Sequence, residues 1–107
     1  MLLKKLYMII AASLLMITMN GMVQAAEFTV EIKGMDFSPN NLTLSVGDKV
    51  TFINKDSAPH TATAKDASFD TGRLTKDMSS TITISKAGDF NYFCKVHPSM
   101  EGKITAK

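Results

Sequence analysis

Between residues 28 and 92, apolar side chains recur at every second position in short runs, and no other feature restricts the fold as much. Phe28, Val30 and Ile32 alternate with other residues. So do Leu42, Leu44 and Val46, then Val50 and Phe52, Ile82 and Ile84, and Phe90 and Tyr92. Successive side chains on a strand point to opposite faces, so each run predicts a strand with one buried face. Turn chemistry separates the runs: Ser38-Pro39-Asn40-Asn41, Gly47-Asp48, Ser57-Ala58-Pro59, Thr71-Gly72 and Ala87-Gly88-Asp89. After the N-terminal segment, no stretch sustains a helical period. About seven to eight short strands at this spacing predict an all-β fold, an antiparallel Greek-key β-sandwich. The same parity makes two finer predictions. Phe90, Tyr92 and Cys94 share a face, so Cys94 ends its strand pointing inward at one pole of the sandwich. Val50, Phe52 and Asn54 share another, and a buried Asn54 amide needs partners, which the loop leading to His60 is placed to supply.

The N-terminus bounds the compartment. Lys4 and Lys5 precede an almost unbroken apolar run from Leu6 to Met19, and Val23-Gln24-Ala25 offers small residues at cleavage-site spacing. This pattern predicts a signal peptide over 1–25. The run is shorter than the roughly 20 residues that span a bilayer, so no stable membrane insertion is expected after cleavage. The expected location is periplasmic or secreted, with one domain over 26–107. The full chain carries a formal charge of +2, and Lys4 and Lys5 leave with the signal, so the domain is formally neutral. Such a balance gives no electrostatic footprint for nucleic acid. Five of the eight methionines also lie before residue 26. That leaves Met35, Met78 and Met100, of which Met35 and Met78 read as packing or surface.

The chemistry concentrates in Cys94-Lys95-Val96-His97-Pro98-Ser99-Met100, which holds the single cysteine and one of two histidines. An unpaired cysteine in an oxidising compartment is a liability unless it is buried or held by something soft. Thiolate, imidazole and a weak thioether form the ligand set that selects copper and tunes it for electron transfer. A second imidazole is missing from the motif, and His60 is the other histidine of the sequence. Taken singly, Cys94 reads equally well as a small buried residue, His60 as a loop histidine and Met100 as packing. Their coincidence with His97 in a strand-rich exported chain favours a metal. Zinc also accepts two imidazoles and a thiolate, but structural zinc takes four strong ligands, whereas a distant thioether suits copper.

Two sets of segments carry a family resemblance. Met35-Asp36-Phe37-Ser38-Pro39, Val46 to Asn54 and Ala58-Pro59-His60-Thr61 form the first; Gly88 to Cys94, His97-Pro98, Met100 and Gly102-Lys103 form the second. The chain resembles the cupredoxins, or type 1 blue copper proteins, and within them the amicyanins and related plastocyanin-like proteins. The resemblance implies that His60, Cys94 and His97 are equatorial ligands and Met100 the axial ligand of one Cu(I)/Cu(II) ion per chain. It also implies that Asn54 ties the two ligand loops together. One departure is Val96, where amicyanin-type loops have proline. Valine keeps the N–H that proline lacks, so Val96 is an expected hydrogen-bond donor to the sulfur. The other is the segment from Ala62 to Leu74, which is shorter than in typical members.

The function expected on this basis is a small electron-transfer protein, not an enzyme. It would act as a monomer that meets redox protein partners transiently near His97. A periplasmic copper carrier or chaperone is the alternative, but its site should be exposed and rich in methionine or histidine. Cysteine-nucleophile chemistry leaves Met100 without a role. An oxidase or reductase needs further metal centres, and both histidines are already assigned.

Overall fold

The computed structural model describes residues 24–107. The segment 1–23, which holds most of the expected signal peptide, lies outside the described residues. The described chain forms eight strands: β1 (Glu27–Lys33), β2 (Asp36–Ser38), β3 (Asn41–Leu44), β4 (Lys49–Asn54), β5 (Thr63–Ala64), β6 (Ser79–Thr83), β7 (Gly88–Phe93) and β8 (Glu101–Ala106). They make two four-stranded sheets, ordered β2-β1-β4-β6 and β3-β8-β7-β5. The all-β sandwich expected from the alternation is therefore what forms.

The pairing is mixed in one respect. Four of the neighbouring pairs are antiparallel, but β1 with β4 and β3 with β8 run parallel. Both parallel pairs join strands distant in sequence, because the chain crosses to the other sheet between them. Parallel neighbours cannot be joined by a tight turn, so a crossover is what such pairing requires.

Parity places the core as the alternation predicts. Val30 and Ile32 of β1, Val50 and Phe52 of β4, and Phe90 and Tyr92 of β7 are buried between the sheets. Phe28, Leu42 and Ile82 pack against this core from its margin. Val46 departs from the expectation: it follows β3, is exposed, and its N–H donates to the Lys107 carbonyl. Tyr92 is the centre of an aromatic cluster, with ring centroids 4.8 Å from Phe37, 5.4 Å from Phe52 and 5.9 Å from Phe69. The Phe37 and Phe52 contacts are edge-to-face and add to the apolar burial of the rings.

Strand β8 was not marked by alternation, and Gly102 is the reason. Gly102 pairs with Tyr92 across β7 and β8. A Cβ at Gly102 would run into the Tyr92 ring, so the inward position of β8 is filled from the neighbouring strand. Gly102→Ala is expected to cost about 2 kcal/mol of stability, because overpacking displaces a buried ring from its rotamer. Denaturant unfolding of the metal-free protein measures this; an unchanged midpoint would mean that the ring yields freely.

The pole that carries the candidate site is reached by the ends of β1, β4 and β7. A two-residue turn, Gly34-Met35, joins β1 to β2 with Lys33 paired to Asp36. Both turn residues have positive φ, 63° and 62°. This is the backbone that tight hairpins favour, and Met35 adopts it at a steric cost that glycine would avoid.

Candidate metal centre

The first candidate side chain is positioned from β4. After Asn54 the chain turns through residues 55–59 and reaches His60, whose backbone forms a reciprocal pair of hydrogen bonds with Leu74 (N–O distances 3.0 and 2.8 Å). Asn54 organises this loop. It is fully buried, and its Nδ2 donates to the Ala58 carbonyl at 2.9 Å and to the Leu74 carbonyl at 2.8 Å. Its Oδ1 accepts the Asp56 N–H at 2.8 Å. Two of the three partners of the buried amide, Asp56 and Ala58, lie in the loop leading to His60 as expected, and the third is Leu74, the backbone partner of His60. Among the described residues, none of these bonds reaches the loop of Cys94, so the bridging role implied for Asn54 falls to another residue.

Asp56 then fixes the ring of His60. Its carboxylate accepts the N–H groups of Gly34 and Met35, at 2.8 and 3.0 Å, and lies 2.9 Å from His60 Nε2. The Met35 N–H first, then the Gly34 N–H and His60, hold the Asp56 carboxyl below its ordinary value against the opposing effect of desolvation. A carboxylate at Nε2 favours the tautomer with its proton there, which leaves the Nδ1 lone pair free for a ligand. The strained Gly34-Met35 turn thus supplies two amides to the carboxylate that aims His60.

The second group comes from β7 and the loop after it. Phe90, Tyr92 and Cys94 all face inward, and Cys94 is fully buried as a free thiol. The loop from Cys94 to Met100 closes on itself: Cys94 N donates to the Met100 carbonyl at 3.1 Å, and Met100 N to the His97 carbonyl at 3.0 Å. Met100 is buried at the base of this loop, while His97 is half-buried between exposed Val96 and Pro98.

Three donor atoms converge here. Cys94 Sγ lies 3.7 Å from His60 Nδ1 and 4.0 Å from His97 Nδ1, and the two nitrogens are 3.1 Å apart. Points with these separations lie on a circle of radius about 2.1 Å, whereas zinc bonds imidazole at about 2.0–2.1 Å and thiolate at about 2.3 Å. A first-row metal ion therefore fits between the three donors without rearrangement. Among the described residues, His60, Cys94 and His97 are the group of histidine, cysteine and acidic side chains close enough to share an ion. The fourth sequence candidate, Met100, lies in the same loop and is buried.

The residue that joins the two loops is Thr61. Its backbone N–H donates to Cys94 Sγ at 3.4 Å, and its Oγ1 accepts the Lys95 N–H at 2.9 Å. The expected donor, Val96, does not form this bond; among the described residues the amide on the sulfur belongs to Thr61. Sequence reasoning passed over Thr61 because its contact to sulfur uses a backbone group, which no side-chain identity marks. Asp56 was also passed over, although an acid four residues before a candidate histidine is a usable signal.

A family model described as a cupredoxin-like domain matches residues 6–106. The chain is 32% identical over 87 residues to an amicyanin of Paracoccus versutus, covering 77% of this chain and 66% of that protein. The chain thus spans slightly less than two thirds of that relative's length. Among solved structures, a copper form of amicyanin, a Cu(I) mutant, superposes with a TM-score of 0.71 at 30% identity, covering 79% of this chain and 86% of that one. A Cu-containing nitrite reductase from Thermus scotoductus SA-01 superposes with a TM-score of 0.72 at 30% identity, over 79% of this chain but 23% of the reductase.

Proposed function

Since this chain belongs to the cupredoxin-like family, we propose that it is a small exported blue copper protein that passes single electrons between redox partners. The observation that carries this reading is the triangle of two imidazole nitrogens and one cysteine sulfur on buried or half-buried residues. In this reading His60, Cys94 and His97 hold one copper ion, with Met100 as the weak fourth ligand. The bound ion would supply a one-electron couple. The protein's part is to hold the donors still in either oxidation state. The Asn54 and Asp56 bonds fix His60, and the closed 94–100 loop fixes Cys94 and His97.

The domain over 26–107 would be released from a signal peptide over 1–25 and act as a periplasmic or secreted monomer. His97 is the half-buried member of the set, and exposed Val96 and Pro98 flank it. That apolar rim suits a transient docking face for a redox protein. The reading is of an electron-transfer protein and not an enzyme, since both histidines of the sequence lie in one cluster and leave no imidazole for a second centre.

The test is addition of one equivalent of Cu(II) to the purified domain, followed by visible and EPR spectra. An intense blue band that a mild reductant bleaches is the expected result, and no such band would overturn the reading. Copper carriage is separated by challenging the reduced protein with a Cu(I) chelator. Fast loss of the ion would favour a carrier over an electron-transfer protein.

A further inference from the structure

Beyond the groups that touch the candidate ligands, a ring of hydrogen bonds runs from the sulfur's neighbour to the surface and back. The Lys95 N–H donates to Thr61 Oγ1 at 2.9 Å. Thr61 Oγ1 lies 3.0 Å from Thr63 Oγ1, and the Thr63 hydroxyl donates to Asp70 Oδ1 at 3.1 Å. Lys95 Nζ donates to Asp70 Oδ2 at 2.7 Å and closes the ring. The carboxylate fixes the direction of every proton. Ionised Asp70 only accepts, so the Thr63 hydrogen is committed to it. Thr63 Oγ1 can then only accept from Thr61, and the Thr61 hydroxyl hydrogen is committed in turn. The remaining Thr61 lone pairs face the Lys95 N–H. The Lys95 ammonium first, then the Gly72 N–H and the Thr63 hydroxyl, hold the Asp70 carboxyl below its ordinary value against desolvation, so it stays an acceptor.

We propose that Thr63 is a positioning residue for the Cys94 sulfur, with Asp70 as its anchor. It acts through Thr61, which grips Cys94 twice: its N–H meets Sγ at 3.4 Å, and its Oγ1 holds the peptide that follows Cys94. Thr61 and Thr63 are both buried, so water does not replace a lost hydroxyl partner. When the Thr63 hydroxyl is removed, the Thr61 hydroxyl loses its acceptor and its rotamer is no longer fixed. The hold on the Cys94–Lys95 peptide relaxes and the N–H to sulfur contact lengthens. The sulfur regains electron density, which favours Cu(II) over Cu(I) and lowers the potential.

This inference rests on the copper reading for one of its two measurements and is independent of it for the other. The variants are Thr63→Val, which keeps shape and charge but removes the hydroxyl, and Thr63→Ser, which keeps the hydroxyl. In the metal-free protein, the Thr61 amide proton is expected to move upfield in Thr63→Val and to stay in place in Thr63→Ser. In the copper-loaded protein, voltammetry is expected to show the equilibrium for reduction weakened about fivefold in the valine variant, or about 40 mV at 59 mV per tenfold for one electron. The serine variant should match the parent. An amide shift and a potential both unchanged in Thr63→Val would overturn the proposal. So would a serine variant that behaves like the valine one, because packing would then explain the effect. If valine prevents folding, Thr63→Ala removes the same hydroxyl and is read in the same way. A parent that gives no blue band overturns the copper reading alone, and the amide shift still decides Thr63.

Discussion

Cys94→Ser is expected to abolish the blue band of the Cu(II)-loaded protein while leaving the fold intact. A thiolate gives copper an intense low-energy charge-transfer transition, which an alcohol or alkoxide does not. Cys94 is the single cysteine of the chain, so no other residue can replace it. Serine differs by one atom and is close in volume, and the cysteine is not part of a disulfide. The buried hydroxyl can still accept the Thr61 N–H that now meets sulfur at 3.4 Å. Packing around Phe90 and Tyr92 should therefore persist, and the NMR dispersion of the metal-free variant should match the parent. The affinity for copper should fall as well, since a hard neutral oxygen replaces a soft anion. The spectrum and a competition titration check both effects. A blue band that survives in the serine variant would remove Cys94 from the site.

Parity made the main outline legible. Phe90, Tyr92 and Cys94, and separately Val50, Phe52 and Asn54, were assigned to common inward faces from their spacing, and all six are buried. That result follows from strand geometry and needs no knowledge of the partner strand. Pairing direction does need it, which is why the parallel neighbours β1–β4 and β3–β8 were not legible. Strand β8 was hidden because Gly102 yields its inward position to the Tyr92 ring. β2 and β5 were hidden because three and two residues are too few to show a period. The same limit governs the site. Side-chain chemistry and spacing pointed to His60, Cys94 and His97, whose donor atoms do converge. The contacts that orient them are largely backbone groups brought together across the chain. Thr61 N–H meets a sulfur 33 positions away, and Gly34 N–H meets a carboxylate 22 positions away. Val96 has an N–H where the family resemblance leads one to expect proline, but an available donor is not yet an aimed one, and among the described residues the amide that meets the sulfur is that of Thr61.

Asn54→Leu is expected to lower stability by about 3 kcal/mol and to loosen His60 together with it. Leucine keeps the branched shape of the side chain but is larger, so some overpacking at this fully buried position adds to the main cost, which comes from the groups left behind. The Leu74 carbonyl loses the Asn54 amide but keeps the His60 N–H at 3.0 Å. The Ala58 carbonyl and the Asp56 N–H lose the partners they have in the fold, at 2.9 and 2.8 Å. Two part-buried backbone groups without partners, at roughly 1–3 kcal/mol each, give the expected magnitude. The second effect follows from what Asp56 does next. Its N–H is tied to Asn54 and its carboxylate to His60 Nε2, so freeing the first leaves the carboxylate held by the Gly34 and Met35 N–H groups without its own backbone anchored, and its aim at His60 loosens. Loss of an outer partner of a metal-binding histidine typically costs about 10–100-fold in affinity, and copper affinity in Asn54→Leu should fall within that range. Urea unfolding of the metal-free protein and a competition titration with Cu(II) measure the two effects separately. A variant that loses stability but binds copper as the parent does would show that the Asn54 bonds support the loop without orienting His60.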